Sequence, residues 1–377
     1  MSSALPRGTL LADGRYRIRR EVNRGGTAIV YEADDLENGC RVALKAMNAK
    51  EGVMTMSLRQ VKREISIASS LKHDHIVQLI DVFAEGSSLV LVWELVQGPD
   101  LLDLLNACGG RMSEKQAAHY LLQLHKGVTF LHANNLCHRD LKPENCMIDS
   151  KTDKLVLIDF GLSKHLDSAV TLGVGTPDYM APEMLGYNAR GGAGQGRIHP
   201  GGGLSGAKQY DARAVDVWAM GVMLYLMVAG VYPFEDPNNP DNVACTLQNV
   251  RDGRIRPLPA DVSHQCADLI VRMLHKKSHK RLTLEQLLDH PWLKINAPAG
   301  QDQQRKNSTK SGEMAKTAKR AAPDFKRKSM GSAARKSTSA LLEEVGAEPR
   351  KAKSSRSKSS KSSSAGFNKL MSSLKLF

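Results

Sequence analysis

"CHRDLKPENCMID", residues 137 to 149, and "LVLIDFGLSK", residues 155 to 164, decide how this chain is to be read. An Asp-x-Lys-x-x-x-x-Asn run, followed by Asp-Phe-Gly at the end of an apolar strand, gathers polar groups that a packed core does not need. Phosphoryl transfer from ATP needs each of them. That reaction takes a carboxylate to orient the accepting hydroxyl and receive its proton, two oxygen-type ligands for Mg2+, and a cation near the migrating phosphate. Asp140 suits the first role, Asn145 and Asp159 the metal ligands, and Lys142 the cation. Mg2+ prefers hard oxygen donors and keeps substrate phosphates in its shell, which an amide plus a carboxylate allows. Taken singly, Asp140 and Lys142 read equally well as a surface ion pair of little energetic worth.

The 377 residues are 41% hydrophobic and 24% charged, ordinary for a globular protein. The net charge of +14 is unevenly placed. Residues 296 to 377 hold 19 Lys/Arg and 6 Asp/Glu, a net of +13, so residues 1 to 295 carry only +1. A nucleic-acid or membrane adaptor driven by overall basicity is therefore disfavoured, because the charge belongs to a tail. The six cysteines (40, 108, 137, 146, 245, 266) form no C-x-x-C pair, which fits free thiols in a reducing compartment. Cys137 and Cys146 read as small buried fillers. The apolar run 217–231 has about 15 residues where a membrane span needs about 20, and Asp216 abuts it, so it reads as a buried core helix.

Hydrophobic periodicity divides the rest. Segments 15–22, 28–35, 41–47, 75–83 and 88–96 alternate as strands, with a helix over 57–71. Residues 100 to 295 are mostly helical. Ser113 with Gln116 forms a capping box that opens a helix carrying Ala117, Tyr120, Leu121, Leu124, Val128 and Leu131 on one face. Thr283 with Gln286 opens a second, which Pro291 is expected to close. Residues 188–208, with eight glycines, read as a flexible loop, and the Lys/Ser/Ala-rich tail as disordered.

The catalytic and metal loops resemble those of eukaryotic protein kinases, and the likeness runs over residues 16–293. "VALK" resembles the strand presenting a phosphate-binding lysine, here Lys45. "VKREISI" resembles the helix whose glutamate, here Glu64, pairs with it. "GTPDYMAPE" resembles the end of the activation segment, and "DVWAMGVMLY" the central helix of the larger lobe, with Asp216 holding the catalytic loop's backbone. Arg281 matches the arginine that pairs with the glutamate of Ala-Pro-Glu, here Glu183. His138 and Phe160 are taken as structural.

The resemblance implies an α+β, two-lobed fold: an N-terminal extension (1–15), a kinase domain (16–293; N-lobe 16–96, C-lobe 97–293, Gly-rich insertion 188–208) and a disordered basic tail (294–377). It implies a nucleotide site walled by Val22, Val30 and Ala43, covered by Asn23 and Gly25, and edged by Glu94 and Val96, with ATP and Mg2+ bound. "VNRGGTAIV" departs from G-x-G-x-x-G-x-V at Asn23 and Ala28. Read alone, it could be a working phosphate cover, a crippled one or an ordinary hairpin. In this context it is a stiffened cover with weakened ATP binding, aided by Gly26 and by the tolerance of Asn for left-handed angles.

Lys142 and Thr176 resemble serine/threonine kinases. "VGTPDYMAPEML" and "VYPFEDPNNPDN" resemble the calcium/calmodulin-dependent and SNF1-related group, nearest to plant and algal SNF1-related kinases of osmotic stress. That implies stress or nutrient signalling. A weakly active pseudokinase acting as a binding scaffold is the alternative. Asp100 and Glu144 match acidic positions that meet substrate arginines, so protein substrates with basic motifs are expected. Arg139 implies an activating phosphate and an upstream kinase. The usual site falls on Leu172, leaving Thr171 or Ser168. Trp93 should narrow the back of the nucleotide pocket. In the tail, Ser329 and Ser337 resemble targets of a basophilic kinase, for autophosphorylation or pseudosubstrate inhibition. "KR…KRK" (319–328) reads as a nuclear-import signal or as part of a solvated basic tail, and Phe367, Leu370, Met371 and Leu374 share a helical face suited to a partner groove or a membrane surface. The expected location is cytoplasmic and also nuclear, with no specific nucleic-acid partner and no transmembrane segment.

Overall fold

A computed structural model describes residues 5–25, 28–48, 65–86, 88–159, 177–185, 211–240 and 242–296. The chain divides into two units, of which the second, Ala299–Ser363, lies outside the described residues. So do Glu64, Phe160, Ser168, Thr171, Leu172, Thr176, the 188–208 insertion and the tail.

The smaller lobe is a six-stranded antiparallel sheet of β1 (Leu10–Leu11), β2 (Tyr16–Arg24), β3 (Ala28–Asp35), β4 (Cys40–Asn48), β5 (Leu79–Glu85) and β6 (Ser88–Glu94). Its order is β1-β2-β3-β4-β6-β5. The period-two alternation seen in the sequence sets its two faces. Tyr31, Ala33, Val42, Leu44, Val90 and Val92 point into one core. The ends of the sheet are tied together by side chains. Tyr16 stacks on Phe83 with ring centroids 5.4 Å apart, and Arg15 bridges Asp35 and Asp81. Residues 10–11 of the N-terminal extension thus join the sheet. The strand expected over 75–83 begins only at Leu79. Residues 73–76 instead make isolated bridges, and Val77 donates to Leu157 O at 2.9 Å, which fastens the sheet lobe to the helical one. Helix α1 is described over 65–70.

The larger lobe contains α2 (Leu101–Ala107), α3 (Glu114–Ala133), the hairpin β7 (Cys146–Asp149) and β8 (Lys154–Leu157), α4 (Pro182–Leu185), α5 (Ala212–Ala229), α6 (Val243–Asp252), α7 (His264–Met273), α8 (Leu284–Leu288) and α9 (Pro291–Asn296). Both capping boxes form, and the six expected α3 residues are all buried. Pro291 does not close α8. That helix ends at Leu288, and Pro291 starts α9, where its missing N–H costs nothing. Helix α5 is long and apolar enough to cross a membrane, yet 89% of it is buried inside the protein. It is the lobe's core, with Trp218 stacked on Phe234. Gly230 ends α5 at φ 74, where a Cβ would meet Gly110 O at 2.8 Å. The Glu114 carboxylate ties α3 to two later helices by accepting from Ser263 N, Ser263 Oγ and Trp292 Nε1 at 2.6–2.7 Å.

Candidate active site

The catalytic loop runs between α3 and β7, and its shape depends on one buried anion. Asp216, fully buried in the first turns of α5, accepts from His138 N at 2.9 Å, Arg139 N at 2.7 Å and His132 Nε2 at 2.8 Å. This is the backbone hold expected of Asp216. Arg139 sits at φ 65 and Asp159 at φ 62, left-handed angles that cost a non-glycine residue about 1–3 kcal/mol each. The hydrogen bonds to Asp216 offset that cost for Arg139. Ile158 N donates to Asn145 O at 2.9 Å, and His138 Nε2 bonds Ile158 O at 3.2 Å, joining the residue before Asp159 to the same loop.

Asn145, 7% exposed, donates through Nδ2 to Asp140 O at 2.8 Å and to Asp140 Oδ2 at 3.1 Å. Its Oδ1, a hard donor, is committed to no described residue. Lys142 Nζ stands 4.0 Å from Asp140 Oδ2. From the sheet lobe, Lys45 Nζ pairs with Asp159 Oδ1, while the Asp159 side chain stays 46% exposed. Asp140, Lys142, Asn145, Asp159 and Lys45 therefore converge from three segments of the chain. An amide oxygen and a half-exposed carboxylate suit Mg2+, so the residues fit that ion.

Lys45 lies across from Val30 on β3 and Leu91 on β6, and Ala43 lies across from Trp93. Period two places Val30, Ala43, Lys45 and Trp93 on the sheet face opposite the Tyr31–Leu44 core. Trp93 packs against clusters of both lobes. Val22 is 48% exposed beside a bulge between Glu21 and Asn23. Asn23 does not use its tolerance for left-handed angles: it is extended in β2, paired with Val30. Ala28 pairs with Met47, and Gly25 N donates to Ala28 O at 2.9 Å. The strands thus run up to Gly25, and Gly26 lies outside the described residues. Glycine at both 23 and 28 should lower the ATP KM about two- to fivefold, the size of about 0.5–1 kcal/mol of backbone freedom. An unchanged KM in steady-state assays would refute this.

Glu94 N donates to Gln78 O at 3.0 Å, and its side-chain Oε1 accepts from Gln78 N at 3.1 Å. Burial raises its carboxyl pKa above the usual range. Its carboxylate therefore braces the hinge, while the backbone groups of Leu95 and Val96 engage no described residue. Glu94, Leu95 and Val96 also line a groove of about 720 Å³ with Lys72, His73 and Lys154, which includes none of the catalytic residues. Just beyond, a Cβ on Gly98 would lie 1.9 Å from Ile148 O, so only glycine lets the hinge meet β7.

Asp100 caps α2 by accepting from Asp103 N at 2.8 Å, a local duty that the substrate-reading expectation overlooked. Glu144 keeps a buried Oε2 with no hydrogen-bond partner among the described residues. Arg281 makes two 2.6 Å bonds to Glu183, as expected, and its guanidinium lies over the Trp218 ring. Cys146 is buried with its thiol pKa pushed far up by burial, as a packing group; burial also pushes the Cys137 thiol up to about 11, but Cys137 is only half-buried and is not a pure filler. The sequence reading missed His132, which no short motif marks.

A sheet lobe whose lysine reaches an aspartate on a helical lobe, beside an Asp-Lys-Asn loop, defines a two-lobed ATP-dependent phosphotransferase. Residues 16–293 match the family model for the protein kinase domain, and the chain belongs to that family. Similar relatives include the serine/threonine-protein kinase SAPK9 of Oryza sativa subsp. japonica, 34% identical over 77% of this chain and 75% of that protein. SRK2G of Arabidopsis thaliana is 37% identical over 63% of each chain, and CBL-interacting protein kinase 24 of Oryza sativa subsp. japonica is 34% identical over 74% and 57%. These plant relatives agree with the SNF1-related likeness, and the chain is a serine/threonine protein kinase.

Proposed function

We propose that this kinase transfers the ATP γ-phosphate to serine or threonine hydroxyls in basic segments of protein substrates. The observation that carries the reading is the convergence of Asp140, Lys142 and Asn145 with the Lys45–Asp159 pair. Asp140 orients the accepting hydroxyl and takes its proton. The hydroxyl oxygen bonds to the γ-phosphorus as the bond to the ADP oxygen breaks, and Lys142 offsets charge on the migrating group. Asn145 Oδ1 and the Asp159 carboxylate would hold Mg2+, which would supply charge neutralisation at the phosphates. Lys45, with Glu64, grips the phosphates under Gly25 and Asn23. Val22, Val30 and Ala43 enclose the base, and the backbone at Glu94 and Val96 meets its edge. Asp140, Lys142, Asn145, Lys45 and Asp159, which a non-catalytic scaffold could dispense with, converge among the described residues and support the catalytic reading over that alternative.

Glu144 carries the preference for arginine, its partnerless Oε2 being an acceptor that a guanidinium would satisfy. Asp100, engaged as a cap, contributes less. The domain limits 16–293 and 294–377, an upstream kinase acting at Thr171 or Ser168, a groove partner for residues 367–377, cytoplasmic and nuclear residence, and stress or nutrient signalling complete the proposal. Phosphate transfer to peptides with and without arginine tests it. Wild type should phosphorylate the arginine peptide, and Asp159→Ala should not. Glu144→Ala should lose about 10- to 100-fold of the preference, the worth of one charged hydrogen bond of about 1.5–3 kcal/mol. Transfer by Asp159→Ala equal to wild type would sink the catalytic reading, and an intact preference in Glu144→Ala would sink the specificity reading.

A further inference from the structure

The Asp216 anchor has a second chemical property. A ring nitrogen of His132, Cys137 Sγ and an Asp216 carboxylate oxygen lie within 4.8 Å of one another, the one such trio of metal-type donors among the described residues. His132 reaches it from the end of α3, Asp216 from α5, and Cys137 from the link between them. Nitrogen, sulfur and oxygen donors of this kind match Zn2+, and three protein ligands leave the fourth tetrahedral position open. Tetrahedral bonds of about 2.0–2.3 Å set donors about 3.3–3.8 Å apart. The His132–Asp216 pair, now at 2.8 Å, would open by under about an ångström to reach that range. Asp216 and His132 are almost wholly buried, whereas Cys137 is half-buried and offers the route in.

The geometry points to an inhibitory site for a thiophilic divalent cation, Zn2+ by chemistry, made of His132, Cys137 and Asp216. On binding, the Cys137 thiol proton leaves to solvent and its sulfur forms the Zn–S bond. The His132 Nε2 proton is released while Nδ1 takes one up, which frees the Nε2 lone pair for the metal. Asp216 Oδ2 supplies the third bond. Two anionic ligands and a neutral imidazole balance the 2+ charge. Asp216 Oδ2 is also the acceptor for His138 N, so the cation competes with the catalytic loop for that oxygen. The loop carrying Arg139 at φ 65 then loses part of its hold. Asp140 is displaced, while Lys45 and the nucleotide-facing sheet are untouched.

The test titrates the full-length chain with Cd2+ and, separately, with Zn2+ at saturating Mg-ATP. Cd2+ should develop a thiolate-to-metal ultraviolet band of one equivalent in wild type and in Cys40→Ser that is missing in Cys137→Ser. Zn2+ should lower kcat at least tenfold in wild type with the ATP KM unchanged, and Cys137→Ser should resist it relative to its own metal-free rate. His132→Gln, scored by the same band, guards against a misfolded cysteine variant. An identical band in wild type and Cys137→Ser would overturn the proposal independently of any activity. Equal Zn2+ inhibition in both would also overturn it, by assigning the effect to the Mg2+ ligands.

Discussion

Asp140→Asn should lower kcat by about 10²–10⁴-fold, the span that positioned proton transfer contributes, while leaving ATP KM and thermal stability near wild type. The amide keeps the shape of the carboxylate. Asn145 Nδ2 donates to Asp140 Oδ2 and to the Asp140 backbone carbonyl, and the second bond survives the exchange. The first survives if the new amide presents its oxygen. What is lost is the charge that accepts the substrate proton and faces Lys142 at 4.0 Å. The loop itself is held by Asp216, which this variant does not touch. Single-turnover assays at saturating ATP would isolate the chemical step. A loss below about tenfold would mean that Asp140 is not the proton acceptor.

Arg281→Met should cost about 3–5 kcal/mol, because it strands a charge within a largely buried pair. The Arg281 side chain is 1% exposed, and that of Glu183 16%. Besides two bonds to Glu183, the guanidinium donates to His275 O at 2.9 Å and Ala214 O at 2.9 Å, and rests 4.8 Å from the Trp218 ring centroid. Removing it orphans the carboxylate and two carbonyls together. The expected fall in melting temperature is on the order of 10 °C for a domain of this size. Arg281→Met with Glu183→Leu should recover part of the loss, since replacing both partners by apolar groups removes the uncompensated charge. If the double variant were less stable than the single one, the stranded charge would not be the cause. Thermal unfolding of both variants decides this.

The sheet lobe was legible because its strand-length apolar runs are local features of the sequence, as in Ala28–Asp35, whose limits match the expected 28–35. The α3 stripe and both capping boxes were legible for the same reason: their partners lie within four residues in sequence. Where contacts alone set the outcome, the reading slipped. Residues 75–78 have strand-like alternation, but the backbone groups of His75 and Val77 join the lobes through Leu157. Pro291 bars a helix on its N-terminal side only, so it opened α9 where closure of α8 was expected. Asp100 turned out to be a helix cap.

The amino-acid sequence by itself determined the class of chemistry, since a proton acceptor, two oxygen ligands and a cation in one spacing serve phosphoryl transfer and little else. Through the family resemblance it also indicated that Arg281 would meet Glu183, whereas the pairing of Lys45 with Asp159 emerged only in the folded chain. Tertiary structure alone decided how those groups are held. Asp216 offers one carboxylate to three donors, two of them backbone N–H groups, and a backbone donor leaves no trace in residue identity. Which atoms of Asn145 face Asp140 depends on the folded loop, and whether His132 and Cys137 close on the same anion depends on the packing of α3 against α5. Short-range pattern can specify an element and a motif can specify a reaction. Only the folded chain specifies which buried hydrogen bonds keep the reacting groups in place.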